Sequence, residues 1–319
     1  MTSPRTVLIT GSGGFLGHHL CEILSESYLE WRVIGTFYSS PGAEASRFQE
    51  IPMDLQDEEQ ISAALKQFQP SVIVHTAANS SPLFCEQNPS DVLAINRPSL
   101  LLTLIRRWLP SAIFVLFSSD QVYSGIPPHD SYTEADQPTP INVYGHSKVA
   151  AEQLVADSPQ DSLILRPSLI FGPAFVRPDG KKKHCFLDVL QEAADTGNRL
   201  SLFEDEWRNP IHVVDIAAVV GKTLEIAIAN TKESEKVPMK LLFNLGGAAA
   251  YSRWEMGLTI CGEKKENEEC AHFDRCRQED QVQQVRRPAD LRMSSAKAEA
   301  YLGRALHDAV RLHLNTPST

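Results

Sequence analysis

The segment GSGGFLG, Gly11 to Gly17, lies between an apolar β-branched run and a stretch with helical spacing. The run before it, TVLIT over Thr6–Thr10, has the pattern of a buried strand. After it, Phe15, Leu16, Leu20, Ile23 and Leu24 recur on one side of a helix, and RVIGTF over Arg32–Phe37 reads as the next strand. Strand, glycine turn, helix and second strand within about thirty residues make a βαβ unit. Glycine at such a turn reaches backbone angles closed to other residues and lets the main chain approach a ligand closely. The helix start behind it offers free amide hydrogens and the positive end of a dipole. In this context Gly11, Gly14 and Gly17, with Phe15 and Leu16 at the helix start, are the expected cradle for a dinucleotide pyrophosphate.

The alternation continues. The spacing predicts a helix over Asp57–Phe68 with Asp57 as its N-cap, and a buried strand over Ser71–Ala78. A helix follows from about Asp91 to Trp108, interrupted near Pro98, then a strand over Ala112–Ser119. The next pair is a helix from about Asn142 to Ala156 and a strand over Ser162–Ser168. Continuous apolar strands separated by helices imply a parallel sheet covered on both faces. The expected fold is therefore α/β, a doubly wound parallel sheet of Rossmann type, with a smaller discontinuous C-terminal region that binds substrate. The dinucleotide-binding domain is placed at residues 1–166. Residues 167–319 are mainly the substrate-binding region, with about 212–245 returning to the first domain through a helix from about Val214 and the late strand KLLFNLGG. Cys261–Gln284 is polar and without periodicity and reads as an extended loop or a weakly ordered insert. Ser294–Gly303 reads as a short helix ending in glycine.

Charge and cysteine usage narrow the functional classes. A formal net charge of −10 argues against a broad nucleic-acid surface. The six cysteines form no C-x-x-C pair, which suits reduced thiols in the cytoplasm. Cys261, Cys270, His272 and Cys276 match no zinc spacing, so no metal is expected. No run of about 18 apolar residues suggests a membrane span, and the chain enters its first strand at Thr6, leaving no room for a leader.

An acid at the end of the second strand would accept hydrogen bonds from the adenine ribose and favour NAD. Here that end reads GTFYSS, without a carboxylate. Tyr38, Ser39 and Ser40 suit a 2′-phosphate, and Arg47 is either within reach of it or a solvated surface residue. NADP(H) is therefore favoured over NAD(H). Asp54 and Leu55 follow a short strand, where Asp54 either meets the adenine amino group or caps the next helix in competition with Asp57.

Ligands of open α/β sheets bind at strand ends, which puts Ser118, Ser119 and Asp120 at the mouth of the sheet. Tyr144 and Lys148, four residues apart in YGHSK, share one helix face. A phenol with an ordinary pKa of about 10 exchanges protons poorly at neutral pH, and a neighbouring ammonium favours its ionised form. The pair forms a general acid/base unit, and a serine hydroxyl beside it can bond a carbonyl oxygen as charge develops there.

The ordered set Gly11-x-x-Gly14-x-x-Gly17, Ser119 and Tyr144-x-x-x-Lys148 resembles the extended short-chain dehydrogenases/reductases, and it runs from the first strand almost to the C-terminus. SSDQVYSG, YTEADQPTPINVYGHSK and RRPADLRMSSAKAEAYLG are similar to the motifs of dTDP-4-dehydrorhamnose reductases and their relatives. FQPSVIVHTAA and DEWRNPIHVVDIA look like the branch that includes the regulatory beta subunit of methionine adenosyltransferase. The resemblance implies cofactor contacts at Ala77, Ala78 and Asn96 as well as at Tyr144 and Lys148. It implies a sugar carbonyl reduced with Tyr144 as proton donor, Lys148 on the nicotinamide ribose and Ser119 orienting the carbonyl. It makes Arg208 and Arg287 candidates on the substrate side. The basic run Lys181–His184 lies in a loop on that side and either meets a nucleotide diphosphate or is a solvated loop. Gln121 stands where the family often has tyrosine, and Leu169 where the rhamnose reductases have tryptophan. These departures bear on the substrate and leave the cofactor untouched. Two functions follow: reduction of a nucleotide-linked keto sugar, or a cofactor-binding regulatory subunit acting on a partner enzyme. Assembly as a homodimer is compatible with either.

Overall fold

The computed structural model describes residues 5–42, 47–229, 239–262, 270–282 and 284–315. Its centre is a seven-stranded parallel sheet. In chain order the strands are β1 (Arg5–Thr10), β2 (Trp31–Phe37), β3 (Gln49–Pro52), β4 (Val72–His75), β5 (Ile113–Phe117), β6 (Ser162–Pro167) and β7 (Lys240–Leu245). In space they run β7-β6-β5-β4-β1-β2-β3. The order reverses at β1, which pairs with β2 on one side (Val7 opposite Val33) and β4 on the other (Val7 opposite Val72). That reversal opens a crevice at the strand ends, where open α/β sheets take their ligands.

The two-residue period of a strand accounts for the layers. Val7 and Ile9 point into one apolar layer, against Leu20 and Leu24 of α1 (Phe15–Ser27) and Ile216, Val220 and Leu224 of a long helix over Val213–Ala229. Leu8 points the other way, with Ile34 and Ile73, onto Ile61 and Leu65 of α2 (Glu58–Phe68) and the helices Ser99–Trp108 and Val143–Ala156. Strands buried on both faces cannot alternate polar and apolar residues, which explains the unbroken hydrophobic runs. Asp57 caps α2 by accepting from the amides of Glu59 and Gln60, as its position predicts. The helix expected over Asp91–Trp108 is two helices, Pro89–Asn96 and Ser99–Trp108, broken at Pro98.

A third apolar cluster gathers Leu187 and Leu190 from the helix Phe186–Thr196, Trp254 and Met256 from the helix Arg253–Ile260, and Leu202, Phe273 and Val310. The expectation of an extended loop or weakly ordered insert over Cys261–Gln284 is corrected here for its described part. Phe273–Cys276 is a strand paired in parallel with Leu200–Phe203, and buried Phe273 ties it to the cluster. Residues 263–269 and 283 of that segment lie outside the described residues. The short late helix spans Ala296–Leu302 and ends at Gly303 with φ 73°, the left-handed terminus its glycine predicts. Among the described residues no helix is long and apolar enough to cross a membrane.

Candidate active site

The glycine turn sits at the crevice. Gly11 has φ 81°, and a Cβ added there would lie 2.9 Å from the backbone of Ala77. A Cβ on Gly17 would lie 2.2 Å from the Gly11 carbonyl oxygen. Glycine at both positions is what lets α1 close down on β1. The amides of Gly11 and Ser12 donate to the Thr36 carbonyl at 2.8 and 2.9 Å, fixing the turn on β2. No side chain caps α1, whose N-cap is Gly14, so its first amides remain available to an anion in the crevice. Turn, helix start and close approach fit the pyrophosphate of a nicotinamide dinucleotide.

Two lobes of one cleft meet at Gly11, Gly14, Thr76 and Ala78. One, about 470 Å³, is lined by Tyr38, Ser39, Asp54, Leu55, Ala77 and Ala78, the residues expected at the adenosine end. Asp54 does not cap α2; its carboxylate accepts from the amide of Gln56 at 2.8 Å. Arg47, weighed for a 2′-phosphate, is instead paired with Glu26 on the surface and does not line the lobe. Its cations are Arg177 and Lys183, neither anticipated for this role. Both belong to a hairpin in which Phe175–Val176 pairs with Lys182–Lys183, so the basic run there is partly ordered against the cleft.

The second lobe, about 540 Å³, brings Ser119, Tyr144 and Lys148 together with Phe15, Leu16 and Gly17. Ser119 follows β5 and its hydroxyl donates to Asp120 Oδ1 at 3.1 Å. Tyr144 and Lys148 come from the first turns of the Val143–Ala156 helix, which Asn142 caps through the Gly145 amide at 2.8 Å. Lys148 Nζ donates to the Phe117 carbonyl at 2.9 Å and lies 5.7 Å from the centroid of the Tyr144 ring. Burial draws the ammonium from 10.5 down to about 8, opposed chiefly by Glu152. The expected lowering of the tyrosine pKa is not found: burial pushes the phenol well above its ordinary value, and the facing Ser119 hydroxyl only partly offsets this. The reason is that both groups are withdrawn from water, and removal from water favours the neutral phenol.

Asn96 is not among the residues lining either lobe. It is fully buried, accepts from the amide of Asn79 at 2.8 Å, and donates to the Asn79 carbonyl at 3.0 Å and to Ser147 Oγ at 2.9 Å. It ties the loop after β4 to the helix carrying Tyr144. Ser118 is also turned inward, donating to Glu152 at 2.5 Å. His75 is a buried core group paired with Thr10 at 2.9 Å.

The far side of the second lobe carries charge. Arg208 lies 3.7 Å from Asp120 and 3.3 Å from Glu206. Glu206, 1% exposed, also takes Arg253 at 2.9 Å and Arg287 at 3.9 Å. Glu206 and Arg253 escaped sequence reasoning, since they sit in a loop and at a helix start that only the fold brings to the cleft. Ser168, which donates to Asp120 Oδ2 at 2.9 Å, was likewise not singled out. Gln121 lines the lobe and accepts from Asn142 at 2.9 Å, and Leu169 lines it from the segment after β6.

A family model described as the RmlD substrate binding domain matches residues 5–314. The chain belongs to this family. It is thereby one of the dTDP-4-dehydrorhamnose reductase-like extended short-chain dehydrogenases/reductases, a class of NAD(P)-dependent oxidoreductases. Among curated proteins it is 28% identical over 258 residues to the methionine adenosyltransferase 2 subunit beta of Rattus norvegicus, covering 80% of this chain and 71% of that one. Among solved structures it matches a hypothetical dTDP-4-dehydrorhamnose reductase from Sulfolobus tokodaii at TM-score 0.71 and 26% identity, covering 95% of this chain and 96% of that one. The dTDP-4-dehydrorhamnose reductase of Bacillus anthracis in complex with NADP shares the fold at TM-score 0.71 and 20% identity, covering 97% of each chain.

Proposed function

We propose that this RmlD-family protein is an NADP(H)-dependent reductase acting on the keto group of a nucleotide-linked sugar. The observation that carries the reading is the meeting of Ser119, Tyr144 and Lys148 in one lobe that opens onto the glycine turn. The cofactor would be held by Gly11, Gly14, Phe15, Leu16 and Gly17 at the pyrophosphate, and by Tyr38, Ser39, Asp54, Leu55, Ala77 and Ala78 at the adenosine. When bound it supplies the hydride, which no side chain can. A phenol held above its ordinary pKa is fully protonated at neutral pH, the form that reduction consumes. Tyr144 gives this proton to the carbonyl oxygen, Ser119 donates a hydrogen bond to the same atom, and Lys148 stabilises the phenolate left behind. Asn96 acts as a positioning residue, through Ser147 and Asn79. Three guanidinium groups against two carboxylates, Asp120 and Glu206, leave the substrate end net positive, which suits the diphosphate of a nucleotide sugar. Six cysteines without a disulfide suit the cytoplasm.

Tyr144→Phe tests the assignment. NADPH oxidation in the presence of nucleotide 4-keto sugars is expected to fall by about 10²–10⁴-fold while NADPH binding persists. Turnover equal to the parent refutes the role. A second reading is favoured by the beta-subunit relatives: a cofactor-binding subunit that acts on a partner enzyme. No turnover with any 4-keto sugar, together with co-purification of a methionine adenosyltransferase, decides for it.

A further inference from the structure

We propose that the hairpin of Phe175–Val176 and Lys182–Lys183 builds the 2′-phosphate subsite of the cofactor cleft, with Arg177 and Lys183 as the cations that select a phosphorylated adenine ribose. This rests on the NADP(H) reading above and assigns it to residues outside the Rossmann strands. The end of β2 offers only Tyr38, Ser39 and Ser40, which are neutral, and Arg47 is engaged elsewhere. The adenosine lobe nevertheless carries two cations against one lining carboxylate, Asp54.

Arg177 is the better placed of the two. Its side chain is 10% exposed, Nη2 donates to Asp179 at 2.5 Å and Nη1 reaches the Gly13 carbonyl at 3.5 Å. Its buried Nε has no hydrogen-bond partner. A buried donor without an acceptor is costly, and a phosphate oxygen would relieve it. The five donors of a guanidinium allow Asp179 and a phosphate to be served together. Asp179 also sits 4.0 Å from Lys181, so it does not cancel Arg177 alone.

The hairpin is pinned where this role needs it. Phe175 stacks on His18 at 3.9 Å between centroids and packs on Phe15, while a ring nitrogen of His19 meets the Pro173 carbonyl at 2.9 Å. These three contacts lie on the first two turns of α1, directly behind the glycine turn. His18 and His19 thus anchor the hairpin on α1. Burial and His19 hold His18 down to about 4, so the stack stays uncharged at neutral pH.

The test compares NADPH with NADH, which differ only in the 2′-phosphate, by fluorescence titration of the full chain. The parent is expected to prefer NADPH by at least about tenfold. Arg177→Gln is expected to lose about 10- to 100-fold for NADPH and to hold NADH within about twofold. Lys183→Gln should lose a few-fold for NADPH alone, and Arg177→Lys should recover part of the preference. A parent without preference overturns both the NADP(H) reading and this subsite. A preference that survives in both glutamine variants overturns the subsite and leaves the cofactor reading standing. If Arg177→Gln weakens both nucleotides alike, Lys183→Gln decides, and undiminished preference there refutes the proposal.

Discussion

Beneath the active site lies a buried ion pair whose disruption has a definite size. Arg166 at the end of β6 donates to Glu152 from Nε at 2.8 Å and from Nη2 at 2.6 Å, and to Tyr123 Oη from Nη1 at 2.7 Å. Its side chain is 3% exposed and that of Glu152 10%. Glu152→Gln keeps the shape and removes the charge, so a guanidinium is left in the interior without its counter-ion. Such a removal costs about 3–5 kcal/mol. Arg166→Met strands the carboxylate and should cost about as much. The pair Arg166→Met with Glu152→Gln removes both charges; what remains is a buried amide that keeps the Ser118 hydroxyl as a donor but lacks its other partners, at a cost of about 1–3 kcal/mol. The double variant should therefore be more stable than either single one. Urea unfolding at pH 7 measures this, with equal m-values confirming a common transition. Single variants that each lose under about 1 kcal/mol, or a double variant that loses their sum, refute the reasoning. A functional consequence accompanies it. Glu152 is the chief group supporting the charge on Lys148 against burial, so its neutralisation lowers the Lys148 pKa below about 8. The basic limb of the activity profile then moves to lower pH.

Two further outcomes follow from the geometry. Gly17→Ala places a methyl group 2.2 Å from the Gly11 carbonyl, so α1 must shift; nucleotide binding should weaken at least about tenfold, read by fluorescence titration, against less than twofold for Gly303→Ala, where a Cβ meets nothing. His313, near the C-terminus, lies 3.4 Å from Asp188 and 3.9 Å from Cys185, and these partners raise it from 6.5 to about 9 against burial. A raised pKa stabilises the fold fully below about pH 6.5 and loses that contribution as the pH climbs through about 9. Unfolding free energies from urea titrations should fall across that window by on the order of 2 kcal/mol in the parent and stay flatter in His313→Gln.

The Rossmann half was legible because its signals are local. The glycine spacing, the unbroken apolar strands and the cap at Asp57 each reside in a few consecutive residues, and backbone sterics tie such patterns to one geometry. The helix Phe186–Thr196 was equally readable, from Leu187, Leu190, Ala193 and the terminating Gly197 with φ 71°, and went unread. The strand Phe273–Cys276 was not. FDRC is only four residues long with two charged residues at its centre, and it is a strand because Leu200–Phe203 lies beside it.

The sequence by itself determined the sheet, the turn that faces the crevice, and the placing of Tyr144 and Lys148 on one helix face. Tertiary structure decided the electrostatics. It turned Lys148 onto the Phe117 carbonyl, raised the Tyr144 phenol through burial, took Asn96 out of the cleft, and withdrew Arg47 to Glu26 while bringing Arg177 over the glycine turn. The physical reason is one of range. Backbone conformation answers to neighbours a few residues away, whereas the charge state and partner of a side chain depend on water excluded, and on groups delivered, by segments 21 to 164 residues away along the chain.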